Sequence, residues 1–171
     1  MLHVSDLMRE MKCDCFCWNS AHNSLHQESF YKMDCPFSDL WRNYLNANPK
    51  KVILVDHNEH AQAVDGIEEV QLLEIIDHHR LGGLQTMNPV YFRNQPLGCT
   101  ATIIYQMFEE NHVEIPKQIA GLLCSAIISD TLMFRSPTCT QMDEHTCRKL
   151  AKIANIDIEN EGERARAWEK S

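Results

Sequence analysis

The sequence predicts an α/β fold: a parallel sheet flanked by helices, with an irregular extension at the N-terminus. Three observations lead there. Two near-continuous apolar runs, VILV at 52–55 and LLEII at 72–76, are rich in branched residues and each closes on an aspartate. From residue 98 onward the apolar residues recur at helical spacing instead. Strands alternating with helices imply parallel pairing with both sheet faces covered, and apolar strands of this kind fit that burial. With 171 residues, 44% of them hydrophobic, the chain is long enough for one globular domain with a real core.

The elements follow in order. KKVILVDHNE reads as a buried strand closed by Asp56. AQAVDGIEEV is a short connection, part helical, with Gly66 as a turn. QLLEIIDHH is a second strand, LGGLQTMNP a loop with paired glycines and a proline, and VYFRN a short third strand. GCTATIIYQMFEENH is a helix, with Thr100 as its cap and Ile103, Ile104, Met107 and Phe108 on one face. IPKQIAGLLCSAIISDT begins as a helix, Pro116 lying near its first turn. A last helix lies within SPTCTQMDEHTCRKLAKIANI, with Leu150 and Ile153 on its apolar side.

Composition narrows the function classes. A formal charge of −8 argues against a nucleic-acid surface, which needs clustered Lys and Arg. An anionic substrate stays open, because a bound cation reverses the local sign. No apolar stretch has the length of a membrane span, and MLHVSDLMREMK lacks the apolar core of a signal peptide, so a cytoplasmic location is expected. Cys99, Cys124, Cys139 and Cys147 read as reduced packing residues.

Three apolar runs end in aspartate: at Asp56, at Asp77 and, through CSAIIS, at Asp130. A single aspartate in such a place is ordinarily a turn former or a cap. In parallel sheets, however, ligands bind beyond the carboxyl ends of the strands. If the three runs lie side by side, Asp56, Asp77, His78, His79 and Asp130 face one crevice. Carboxylate oxygens with imidazole nitrogens favour Mn2+, Zn2+ or Fe2+ over Ca2+. A bridging aspartate sets two cations about 3.5–4 Å apart, a geometry suited to phosphoryl chemistry. Neighbouring side chains on a strand diverge, so one histidine is expected to ligate and the other to face substrate. Asp77 is the candidate to back a ligating ring.

VDHNE, DHH, LGCTAT and SDT, in this order, resemble the DHH phosphoesterase superfamily, most closely its manganese-dependent family II inorganic pyrophosphatases. The resemblance runs from about Asn46 to Ile158. It implies that Asp56, His78 and Asp130 are metal ligands, that His79 contacts the phosphate, and that Asp77 supports its histidine. It implies hydrolysis of pyrophosphate to two phosphates with two Mn2+ ions, for which Mg2+ or Co2+ can stand in. Gly98 and Thr100, at a helix start, are read either as backbone donors near an anion or as simple capping residues.

The departures set the remaining expectations. The family's His-x-x-x-Asp-x-Asp motif is absent near His3, His22 and His26, and ENEGERARAWEKS does not continue the family pattern. The expected division is an irregular extension over 1–46, an incomplete DHH-type N-terminal domain over 47–158 and a tail over 159–171. HVSDLM and WRNYLNANPKK resemble the entry to and exit from an inserted nucleotide-sensing CBS region. CDCFC has the wrong spacing for a structural zinc. A partial parallel sheet invites pairing, so a homodimer is open. Two other functions stay open: a phosphodiesterase on small nucleotides or single-stranded nucleic acid, and a non-catalytic metal-binding or interaction remnant.

Overall fold

The computed structural model describes residues 51–59, 63 and 67–160. The extension over 1–46 with its CDCFC stretch, the turn at Gly66 and the tail beyond 160 lie outside the described residues. The described residues divide into two compact units: those up to Arg93 carry the strands, and those from Asn94 onward carry the helices.

In the first unit, β1 (Lys51–Val55), β2 (Gln71–Asp77) and β3 (Tyr91–Asn94) form one sheet in the order β1-β2-β3. The apolar runs of the sequence are β1 and β2, and they pair in parallel as expected. A register shift between Val52 and Ile53 inserts one extra residue into β2. The strand ends are therefore level, with Val55 opposite Ile76. Val52, Leu54, Ile67 and Ile75 make the core of this unit, with Leu72, Leu84 and Val90 packed around them. Ile67–Glu69 is a single 3-10 turn in the connection.

The second unit contains α1 (Thr100–Glu110), α2 (Lys117–Asp130) and α3 (Gln141–Ala154). Here two readings need correction. The cap of α1 is Cys99, whose sulfur accepts from the Ala101 amide at 3.3 Å, and Thr100 is the first helical residue. On α3, Leu150 is fully buried but Ile153 is 43% exposed. The buried stripe is Asp143, Thr146, Cys147, Leu150, Ala151 and Ala154, and Ile153 falls just past its edge. Pro116 stands at the N-cap of α2, a place that needs no helical N–H from it. Cys99, Cys124 and Cys147 are buried free thiols and Cys139 a half-buried one. Cys124 and Cys147 meet at 3.5 Å between their sulfurs. That contact, together with burial, pushes the Cys147 thiol far above the ordinary range.

Candidate metal centre

The parallel pairing of β1 and β2 builds the site. Beyond Val55 the chain stays against β2 for one more residue, the Asp56 amide donating to the Ile76 carbonyl at 2.9 Å. Asp56 then takes a left-handed conformation, φ 69°, which Asp tolerates better than most residues. Its carboxylate thus emerges beside the point where β2 ends in Asp77 and His78 follows.

One ligand atom from each of Asp56, His78 and His79 lies within 4.8 Å of the others. Nε2 of His78 is 3.4 Å from Oδ1 of Asp56, longer than a charge-assisted hydrogen bond. Asp56 is buried, His78 half-buried and His79 exposed, so the carboxylate lies deepest and the imidazoles lead out to solvent. The two histidines do not diverge as the strand rule predicts. Their ring centroids are 4.1 Å apart. The reason is that β2 stops at Asp77, and side-chain alternation stops with it.

Asp77 is fully buried and turns inward to order the two residues after it. Its Oδ1 accepts from the His78 amide at 2.8 Å, the His79 amide at 3.2 Å and the His79 Nδ1 at 2.8 Å. Burial works to raise its pKa. The hydrogen bonds from His79 and Asn58, with the two amides, outweigh that and hold the carboxyl below its ordinary value. The carboxylate therefore backs the ring of His79, not that of His78. With Nδ1 donating to Asp77, Nε2 is the nitrogen through which the His79 ring would reach a ligand.

Sequence reasoning missed Asn58. Its side chain is buried and donates to Asp77 Oδ2 and, at 3.0 Å, to the Arg80 carbonyl. Its own oxygen accepts from the Gly82 amide. Its sequence signal was its place inside the VDHNE motif. Asn58, Glu59, His79 and Arg80 line a cleft of about 110 Å³, and Arg80 pairs with Glu59 at 3.3 Å on its exposed side. His57, between Asp56 and Asn58, is buried and turns back on its own strand, Nδ1 donating to the Val55 carbonyl at 3.0 Å.

Asp130 is the last residue of α2, in the helical unit. The apolar run before it is a helix and not a strand, which corrects the picture of three strand ends in one sheet. Its buried residues, Ile119, Ala120, Leu123, Cys124, Ile127 and Ile128, follow helical spacing throughout. Gly98 is also occupied otherwise than as an anion donor: its amide donates to the buried carboxylate of Asp143 at 2.8 Å.

A carboxylate oxygen with two imidazole nitrogens, one ring fixed from behind by a buried carboxylate, is a donor set that suits Mn2+ or Co2+. The site thus fits a divalent cation at the carboxyl end of a parallel sheet. The sequence profile of the DHH family, N-terminal domain, matches residues 4–127, and the chain belongs to that family. It is 57% identical over 111 residues to the manganese-dependent inorganic pyrophosphatase of Bacillus subtilis, covering 65% of this chain and 36% of that protein. It is 58% identical over 112 residues to the cobalt-dependent inorganic pyrophosphatase of Clostridium perfringens, covering 66% of this chain and 20% of that protein. A crystal structure from Methanococcus jannaschii assigned to the family II inorganic pyrophosphatases superposes with a TM-score of 0.64 at 43% identity, over 67% of this chain and 40% of that one. The chain therefore spans less than half the length of each of these relatives. Among the described residues, no helix is long and apolar enough to cross a membrane.

Proposed function

We propose that this chain carries the metal-binding part of a pyrophosphate-hydrolysing centre, with Mn2+ as its cation and Co2+ as an alternative. The observation that carries the proposal is the approach of Asp56, His78 and His79 to within 4.8 Å at the paired ends of β1 and β2. Relatives named for manganese-dependent and cobalt-dependent pyrophosphate hydrolysis support the substrate and the ion. Asp56 and His78, the less exposed pair, are assigned as metal ligands. Asp130 is assigned as a ligand on its SDT motif alone. His79, its Nδ1 fixed by Asp77, is assigned to the phosphate, a contact that requires a proton on Nε2 as well as on Nδ1. A bound divalent cation supplies charge neutralisation for the phosphate oxygens and activates water for attack. The protein's part is to hold the ligands in register and to keep the His79 ring from turning. An acidic chain fits a small anion carried with its cation, and not a nucleic-acid strand.

The test is a Mn2+ titration of the purified chain by calorimetry, with phosphate release from pyrophosphate measured in parallel. Wild type is expected to bind Mn2+, and Asp56→Asn to bind at least about tenfold more weakly, since an amide oxygen is a far poorer ligand than a carboxylate for a divalent ion. Mn2+ binding by Asp56→Asn as tight as by wild type overturns the site.

A further inference from the structure

Asn58 is assigned neither to the metal nor to the phosphate. Yet its side chain spans the two motifs, reaching partners 19, 22 and 24 residues away in sequence. The orientation of the amide is fixed by chemistry. Asp77 Oδ2 and the Arg80 carbonyl only accept, and the Gly82 amide only donates. Nδ2 must therefore face the first two and Oδ1 the third, and the reversed amide would set three like pairs against each other. At 4% exposure Asn58 has little access to water as a substitute partner.

The consequence passes through Asp77. That carboxylate is fully buried, and its two oxygens are divided between two tasks. Oδ1 takes the His79 ring and the amides of His78 and His79, while Oδ2 takes Asn58. The bond to Asn58 sets the rotation of the carboxylate plane, and that rotation aims Oδ1 at the imidazole. At the same time the bonds to Arg80 and Gly82 fix the chain just beyond the histidines. One side chain thus holds both the buried carboxylate behind His79 and the loop that follows it.

We propose that Asn58 is a positioning residue of this centre, acting through Asp77 to hold the His79 ring and the loop that carries the histidines. As far as it concerns metal affinity, this rests on the reading of the site as a Mn2+ centre. As far as it concerns the ring, it stands on the geometry of the metal-free protein.

Two measurements separate those levels. The first is the tautomer of His79 in the metal-free protein, read from its two ring ¹⁵N shifts. Wild type is expected to show the single Nδ1–H form, and Asn58→Ala an averaged pair of nitrogens while its circular dichroism stays that of a folded chain. If Asn58→Ala does not fold, Asn58→Ser is read in its place. Its hydroxyl is too short to reach Asp77 Oδ2, the Arg80 carbonyl and the Gly82 amide together, and it adds no charge, so the same averaging is expected. An unchanged tautomer in the folded variant overturns the proposal and leaves Asn58 a loop staple. The second measurement is a double-mutant cycle in Mn2+ affinity. Asn58→Ala is expected to weaken binding about 10-fold, because Asp77 also accepts from the backbone amide of the ligand His78 and so holds that residue in place. In an Asp77→Ala background it is expected to add little. Full additivity overturns the route through Asp77. A wild-type chain that binds no Mn2+ refutes the metal reading, and the tautomer still decides the role of Asn58.

Discussion

The carboxylate of Asp143 on α3 accepts a hydrogen bond from the backbone amide of Gly98, 45 residues earlier and just before α1, at 2.8 Å. The same carboxylate takes the Thr140 amide at 2.8 Å, the Thr140 hydroxyl at 2.6 Å and, on its other oxygen, the Thr102 hydroxyl at 2.6 Å. Asp143 thereby closes the capping box of α3 and ties that helix start to the start of α1. It is fully buried, and all four donors depend on it.

Asp143→Ala is therefore expected to destabilise the chain by on the order of 3 kcal/mol, because several buried donors lose their acceptor at once. Asp143→Asn keeps one oxygen but turns an amide toward a donor, and is expected to fall between. Urea unfolding monitored by circular dichroism checks the order. An alanine variant within about 0.5 kcal/mol of wild type would mean that water or a neighbour replaces the carboxylate.

Neighbouring glycines at the site make a paired prediction. A Cβ on Gly82 would collide with Glu59 Cγ and come within 2.6 Å of the Asn58 carbonyl oxygen and 2.7 Å of its side-chain oxygen, while a Cβ on Gly83 meets nothing within 4 Å. Gly82→Ala must push the loop off Asn58. It is expected to cost about 1–3 kcal/mol, as overpacking does, and to weaken Mn2+ binding. Gly83→Ala is expected to stay within about 0.5 kcal/mol of wild type with Mn2+ affinity unchanged. Equal behaviour of the two variants, in unfolding and in calorimetric titration, would contradict this packing.

The parts of this fold that could be read from the sequence are those that depend on local pattern. VILV and LLEII are strands because branched apolar residues run without interruption, and parallel pairing then puts Asp56 beside Asp77 and His78. The profile match and the structural likeness carry the same α/β assignment. What escaped depends on distant contacts or on where a pattern stops. The convergence of His78 and His79 follows from β2 ending at Asp77, a boundary that no periodicity marks. The role of Asn58 exists only through partners 19 to 24 residues away. CSAIIS looks strand-like by composition, but its branched residues sit on a helical stripe, and the helix runs on to Asp130. Cys99 replaces Thr100 as the cap because a sulfur at that position reaches the Ala101 amide.

The chain just after Asp130 stores backbone strain, and its release can be measured. Leu132, Met133 and Phe134 have φ of 50°, 54° and 64°, a run of three left-handed residues with no glycine among them. Each such residue costs roughly 1–2 kcal/mol from its Cβ. The run is held by its bonds: the Leu132 amide to the Ser129 carbonyl at 3.0 Å, the Met133 amide to Ile128 at 2.8 Å, and the Phe134 amide to the Thr131 hydroxyl at 3.1 Å. Leu132 is 49% exposed, so truncating it loses only part of a buried side chain. Glycine there removes the Cβ clash, against a loss of about 0.5–1 kcal/mol from the greater freedom of the unfolded chain. Alanine gives up the same side-chain contacts and keeps the clash. Leu132→Gly is therefore expected to be more stable than Leu132→Ala by up to about 1 kcal/mol, the reverse of the order found in a helix interior. Urea midpoints of the two variants decide it. Leu132→Ala as the more stable of the two would mean that the left-handed run is not kept in solution.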